Sequence, residues 1–146
     1  MANILVISHG QLAKELCNTA ALIMGPITSL DFISMDVVEG VEKMKNDLNG
    51  KICELLQTSD KLLIVSDLYS GCPFITASKC AADVHAPQQC RIITGANLPM
   101  LLELCLANNS TPDDLTYLVE VALNAGKEGI SEFVLQTQKK SSDEIM

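Results

Sequence analysis

Two stretches of this chain are apolar with no alternation: Ile4-Leu5-Val6-Ile7-Ser8, and Leu62-Leu63-Ile64-Val65 within Lys61–Asp67. A strand wet on one face alternates apolar and polar side chains, whereas a strand covered on both faces does not. Doubly covered strands are the mark of a parallel sheet held between helices. The first run stops at Ser8-His9-Gly10 and the second at Ser66-Asp67, and a helical pattern follows each. An imidazole and a carboxylate are therefore predicted at carboxyl ends of strands, where open α/β sheets bind ligands.

The rest of the chain alternates in the same way. Leu12, Leu16, Ala20 and Ile23 recur at helical spacing, and Gly25-Pro26 ends that helix. A second strand is expected near Ser29 to Ser34, with Leu30 and Phe32 on one face and Ile33 on the other. Val41, Met44, Leu48, Ile52 and Leu55 trace the core-facing stripe of a helix from about Gly40 to Thr58. After the Lys61–Asp67 strand, Pro73 suits the first position of a helix running through Ala77, Ala81 and Val84 to Ala86-Pro87.

Gln89 to Thr94 reads as a fourth strand, closed by Gly95-Ala96-Asn97, and a helix follows from Pro99 to about Ala107. Thr111-Pro112-Asp113-Asp114 is a helix start with a capping hydroxyl, and Leu115, Leu118, Ala122 and Ala125 carry that helix to Gly126. Gly126 and Gly129 bracket a hinge before a short fifth strand, Ile130 to Leu135. The polar tail, 136–146, is expected to be disordered. The class is α/β: three layers, a mainly parallel four-stranded sheet, one domain over residues 1–135.

Composition narrows the function. A chain of 146 residues with 48% hydrophobic content is no disordered segment; at this size it buries about 70% of its unfolded surface without staples. Ten basic against eighteen acidic residues give a net charge of −8, which argues against nucleic acid and anionic membrane surfaces as partners. The six cysteines form no C-x-x-C pair, and most fall on apolar faces as small hydrophobes. With no secretory leader and no apolar run of spanning length, a cytoplasmic protein with reduced thiols is expected.

Three strand ends carry polar, glycine-containing loops: Ser8-His9-Gly10, Asp67 to Cys72, and Gly95-Ala96-Asn97. In a right-handed parallel unit all three lie on one rim. Taken alone, His9 would be an ordinary surface residue, Asp67 a helix cap and Asn97 a turn residue. Together they describe a site. A carboxylate that accepts a hydrogen bond from one ring nitrogen fixes the tautomer and presents the other nitrogen as a nucleophile. Helix N-termini and loop N–H groups hold a phosphoryl dianion. With no Walker loop, no dinucleotide fingerprint and no acidic cluster ready for magnesium, no cofactor is expected, and the phosphoryl donor should be another protein. The remaining candidates read as bland features: His85 as a solvated residue, the methionines as core filler, Tyr69 as an exposed contact for partner proteins.

Ser8-His9-Gly10, then Asp67-Leu68-Tyr69-Ser70-Gly71-Cys72-Pro73-Phe74, then Gly95-Ala96-Asn97-Leu98-Pro99-Met100-Leu101 together resemble the mannose-family enzyme IIA component of the bacterial sugar phosphotransferase system. The resemblance covers about residues 1 to 135. It implies that His9 accepts a phosphoryl group from the phosphocarrier HPr and passes it to a cognate IIB component, with Asp67 orienting His9. It also implies a homodimer in which an antiparallel fifth strand crosses to the partner's sheet, and indirect membrane association through IIC and IID subunits. Gly10, Ser70, Gly71 and Cys72 are the expected phosphoryl-binding positions. The family pattern reads two glycines and a serine before the proline where this chain has Ser70, Gly71 and Cys72. A weak S–H donor thus replaces a hydroxyl, leaving backbone N–H groups and Ser70 for the task.

Two rivals make different demands. A phosphoaspartate receiver domain would need an acidic pair after the first strand, and Ser8-His9-Gly10 offers none. A phosphohistidine subunit serving a dihydroxyacetone kinase would share His9 but not Asn97-Leu98-Pro99-Met100. The sugar itself is not encoded in this chain.

Overall fold

The structure is a computed structural model that describes residues 1–36, 38, 40–84, 89–110 and 114–136. His85, the Ala86-Pro87 end of the third helix, Thr111–Asp113 and the tail from 137 onward lie outside the described residues. Among the described residues four strands and five helices follow in order: β1 (Asn3–His9), α1 (Leu12–Met24), β2 (Leu30–Met35), α2 (Val41–Thr58), β3 (Leu62–Ser66), α3 (Cys72–Val84), β4 (Cys90–Thr94), α4 (Leu98–Ser110) and α5 (Leu115–Glu128). The strands form one parallel sheet in the order β2-β1-β3-β4.

The unalternating runs are explained by two cores. Ile4 and Val6 of β1, with Leu63 and Val65 of β3, pack against α1, α4 and α5 through Ala13, Cys17, Leu101, Leu104 and Leu118. Leu5 and Ile7, with Leu62 and Ile64, face α2 and α3 through Leu48, Ile52, Ala77 and Cys80. Consecutive residues of β1 thus enter opposite cores, and Ile4 to Ile7 have no exposed surface. Each such side chain stabilises the fold by about 1.5–3 kcal/mol. Leu30 and Phe32 join the first core and Ile33 the second, as the pattern of β2 requires.

Helix ends are set locally. Gly25 takes φ +86° and donates its N–H to Ala21 O at 2.8 Å, closing α1. The start of α1 is capped from outside the helix, where the buried Ser8 Oγ accepts from Ala13 N–H at 2.6 Å. Three expectations shift. α3 begins one residue early, at Cys72, which puts Pro73 second. α4 runs on to Ser110, and α5 is capped by Asp114, whose carboxylate accepts from Tyr117 N–H. In the single chain residues 130–135 follow α5 without entering the sheet, and Ile130, Phe133, Val134 and Leu135 are exposed.

Candidate functional site

The strand order places the site. From β1 the chain moves outward to β2, then returns across β1 to β3 and β4, so the direction of winding reverses between β1 and β3. The helices leaving these two strands go to opposite faces and a crevice opens between their carboxyl ends. His9 ends β1, and Asp67 follows β3 immediately. Register brings them together: Ile7 pairs with Ser66, and Asp67 N–H donates to Ile7 O at 3.2 Å.

The Asp67 Oδ2 oxygen accepts twice from His9, from the backbone N–H at 3.0 Å and from ring Nδ1 at 2.8 Å. Its other oxygen accepts from Leu68 N–H at 2.9 Å. A carboxylate can only accept, so the shared proton sits on Nδ1 and Nε2 is the nitrogen left to react. Burial by itself would raise the Asp67 carboxyl, but the hydrogen bonds from the His9 ring and backbone, and from Leu68, outweigh it and hold the group below its ordinary value. Exposure divides the roles: the His9 side chain is 48% accessible and that of Asp67 only 10%. The imidazole is open to solvent while the carboxylate bonded to it stays shielded.

Gly71 closes over the ring. Its φ is +92°, and a Cβ built there would lie 2.8 Å from His9 Cε1 and 2.9 Å from Nε2. A side chain there would displace the ring or the loop, so the Gly71 backbone lies close against the Nε2 edge of the imidazole. The ladder of α3 begins with Ile75 N–H donating to Gly71 O at 3.1 Å. The N–H groups of Cys72 and Phe74 precede that bond, and Pro73 has none, so the positive end of α3 adjoins the ring.

The other expected positions divide. Ser70 is exposed on the same loop. The Cys72 thiol lies 3.9 Å from Thr76 Oγ1, one turn along its own helix. Gly10 does not have a spare N–H: with φ +55° it donates to Met35 O at 3.2 Å, tying the β1–α1 turn to β2. In the single chain it shapes the turn between β1 and α1. Asn97 is more than a turn residue. Its Oδ1 accepts from Met100 N–H at 3.0 Å, capping α4, and its Nδ2 donates to Gly126 O at 3.0 Å, bolting the last turn of α5 to the first turn of α4. Asn directly before Leu98-Pro99 is a helix-start signal that could have shown the cap. Tyr69 is exposed and stacks on Phe74, ring centres 4.9 Å apart and planes inclined by 27°.

Among the described residues no helix is long and apolar enough to cross a membrane. The family model described as "PTS system fructose IIA component" matches residues 3–119. The "PTS system mannose-specific EIIAB component" of Escherichia coli K12 is 28% identical over 139 residues, which cover 95% of this chain and 42% of that protein. The chain thus spans less than half the length of this relative. The mannose/sorbose-specific IIA subunit from Enterococcus faecalis has the same fold at a TM-score of 0.80, with 21% identity over 94% of this chain and 98% of that one. The IIA protein associated with the fucose utilization operon of Streptococcus pneumoniae superposes at 0.74, with 25% identity over 90% of this chain and 96% of that one. The three strand-end loops and a family match over residues 3–119 lead to one assignment: the chain belongs to the mannose family of enzyme IIA components of the sugar phosphotransferase system.

Proposed function

We propose that this chain is a phosphohistidine carrier, taking a phosphoryl group from HPr onto His9 Nε2 and handing it to a cognate IIB component for coupled sugar uptake. The observation that carries this is the 2.8 Å contact of His9 Nδ1 with Asp67 Oδ2, with the Gly71 backbone against the opposite nitrogen. The Nε2 lone pair attacks phosphorus in line as the donor's own P–N bond breaks, and the donor's imidazole leaves. The ring of His9, still protonated at Nδ1, then carries a positive charge that the Asp67 carboxylate offsets. Phosphoryl transfer asks a protein for positioning and charge stabilisation above all. The first turn of α3 supplies N–H donors for the phosphoryl oxygens.

The same geometry disfavours a phosphoaspartate mechanism, because both Asp67 oxygens already accept hydrogen bonds. A ring of exposed apolar side chains, Leu12, Val41, Leu68, Tyr69 and Ile75, stands around the rim and suits transient protein docking. We further infer that residues 1–135 form the working unit and that 130–135 serve as the fifth strand in a second copy's sheet. β4 is an edge strand, and the segment is apolar and exposed.

Phosphorylated HPr is the direct test. The wild type should acquire an acid-labile, base-stable phosphate and pass it to a IIB protein, and His9→Ala should acquire none. Label that is retained in His9→Ala, or that is base-labile, overturns the proposal. Transfer only to a dihydroxyacetone kinase subunit replaces the acceptor and leaves the carrier chemistry standing.

A further inference from the structure

The free edge of β4 floors an open cleft of about 450 Å³ whose walls include the phosphoryl-site loop itself. Phe74 and Ser78 of α3 line one side and Val119 and Leu123 of α5 the other, with Arg91 on the floor. Tyr69 closes the cleft at the end nearer the site, stacked on Phe74. That stack clasps the loop: the two rings hold its ends together, and between them lies Gly71, whose backbone rests against the His9 ring.

We propose that the segment 130–135 of a second copy occupies this cleft and, by covering the Tyr69–Phe74 stack, holds Gly71 in place over His9, so that the phosphoryl-accepting site is complete only in the dimer. This rests on the strand exchange proposed above and adds to it a coupling between assembly and chemistry.

Three features select this occupant. The six-residue segment matches the five-residue edge of β4, which has unpaired backbone groups on its outer side. The segment carries one charge, Glu132, and the cleft carries one, Arg91. Its apolar residues Phe133, Val134 and Leu135 are all exposed in the single chain, while the cleft walls are largely apolar. The direction in which the segment leaves is also fixed. Gly129 packs so closely on Pro99 that a Cβ would come within 2.5 Å of Pro99 Cγ, and Asn97 holds Gly126 O beside it. The exchanged segment therefore leaves a rigid corner rather than a loose tether.

The experiment follows mass by light scattering, and the rate of His9 phosphorylation by phosphorylated HPr, across a protein dilution series. The wild-type rate per chain should track the dimer fraction. Phe133→Glu should be monomeric and slowed about tenfold or more, the scale expected when a reacting group is loosened. Arg91→Glu should weaken both dimer and rate, and Arg91→Glu combined with Glu132→Arg should restore both, which separates the effect from misfolding. Tyr69→Ala should remain dimeric yet be slowed. A monomeric Phe133→Glu phosphorylated at the wild-type rate overturns the coupling while leaving the exchange and the carrier chemistry intact. A wild type that is monomeric throughout overturns the exchange and the coupling with it. A phosphate found elsewhere than His9 overturns the carrier proposal on separate grounds.

Discussion

Replacing Gly71 by alanine asks whether the loop truly rests on the reacting ring. Two penalties follow from the geometry. The first is backbone strain: a φ of +92° is outside the range an L side chain adopts readily, which costs about 1–2 kcal/mol. The second is steric. The new methyl would sit 2.8 Å from His9 Cε1 and 2.9 Å from Nε2. Relief needs the ring or the loop to retreat by about half an ångström or more, since carbon atoms rest about 3.5–4.0 Å apart. Retreat of the ring strains the 2.8 Å bond to Asp67, and retreat of the loop carries away the N–H groups of α3. Misplacement on this scale costs about 10- to 100-fold in rate.

The control is Gly25→Ala, at φ +86° with nothing within 4 Å of the added Cβ. Both variants should lose about 2–8 °C in thermal midpoint, from 1–2 kcal/mol in a domain of this size. Only Gly71→Ala should lose phosphoryl uptake, measured as initial rate from phosphorylated HPr. A folded Gly71→Ala that is phosphorylated at the wild-type rate refutes the close approach and the role assigned to it.

Further outcomes follow. Asp67→Asn keeps the shape but removes the charge that offsets the phosphorylated ring, and should slow uptake about 10²-fold. Its stability has a pH signature: Asp67 is held below its ordinary value of 3.8, so its carboxylate contributes stability that is whole above about pH 4 and is lost as pH falls through the folded value. Wild type and Asp67→Asn should therefore differ in urea midpoint at neutral pH and converge in acid; a constant gap would refute the charged role. Asn97→Ala loses both the α4 cap and the bolt to Gly126, for about 1–3 kcal/mol. Asn97→Asp keeps the cap acceptor but sets a carboxylate oxygen against Gly126 O where the donor stood, so its thermal midpoint should also fall below that of wild type.

What the sequence could and could not reveal follows from how local each cause is. β1 and β3 were legible because burial on both faces erases alternation, and the two cores divide their residues strictly in turn. α2 was legible from its stripe, since Met44, Leu48 and Ile52 are its buried positions. The end of α4 was not: its buried face carries the polar Asn108 and its exposed face carries Leu106, so the apolar period breaks before the helix does. His9 and Asp67 stood out because each terminates a strand. The contact of Gly71 with the ring, the loss of the Gly10 N–H to Met35 O, and the reach of Asn97 to Gly126 are meetings of segments distant in sequence, and no local spacing encodes them. Ser8, whose hydroxyl caps α1 from within β1, lies five residues from its partner, beyond the offsets by which caps are recognised.

The pairing of His9 with Asp67 is in turn a consequence of core burial. Ile4 faces Leu63 and Val6 faces Val65 in register, and each pair enters the same core. Sliding β3 by one residue would send Leu63 and Val65 toward α2 and α3, and Leu62 and Ile64 toward α4 and α5, against the packing of both layers. It would also displace Asp67 by about 3.3 Å along the strand, more than the whole 2.8 Å reach of its bond to His9. The aliphatic residues that select the register thus select the tautomer of the imidazole. No separate device is needed to align a half-exposed histidine with a shielded carboxylate, and a core substitution that let the two strands slip would disable His9 without touching it.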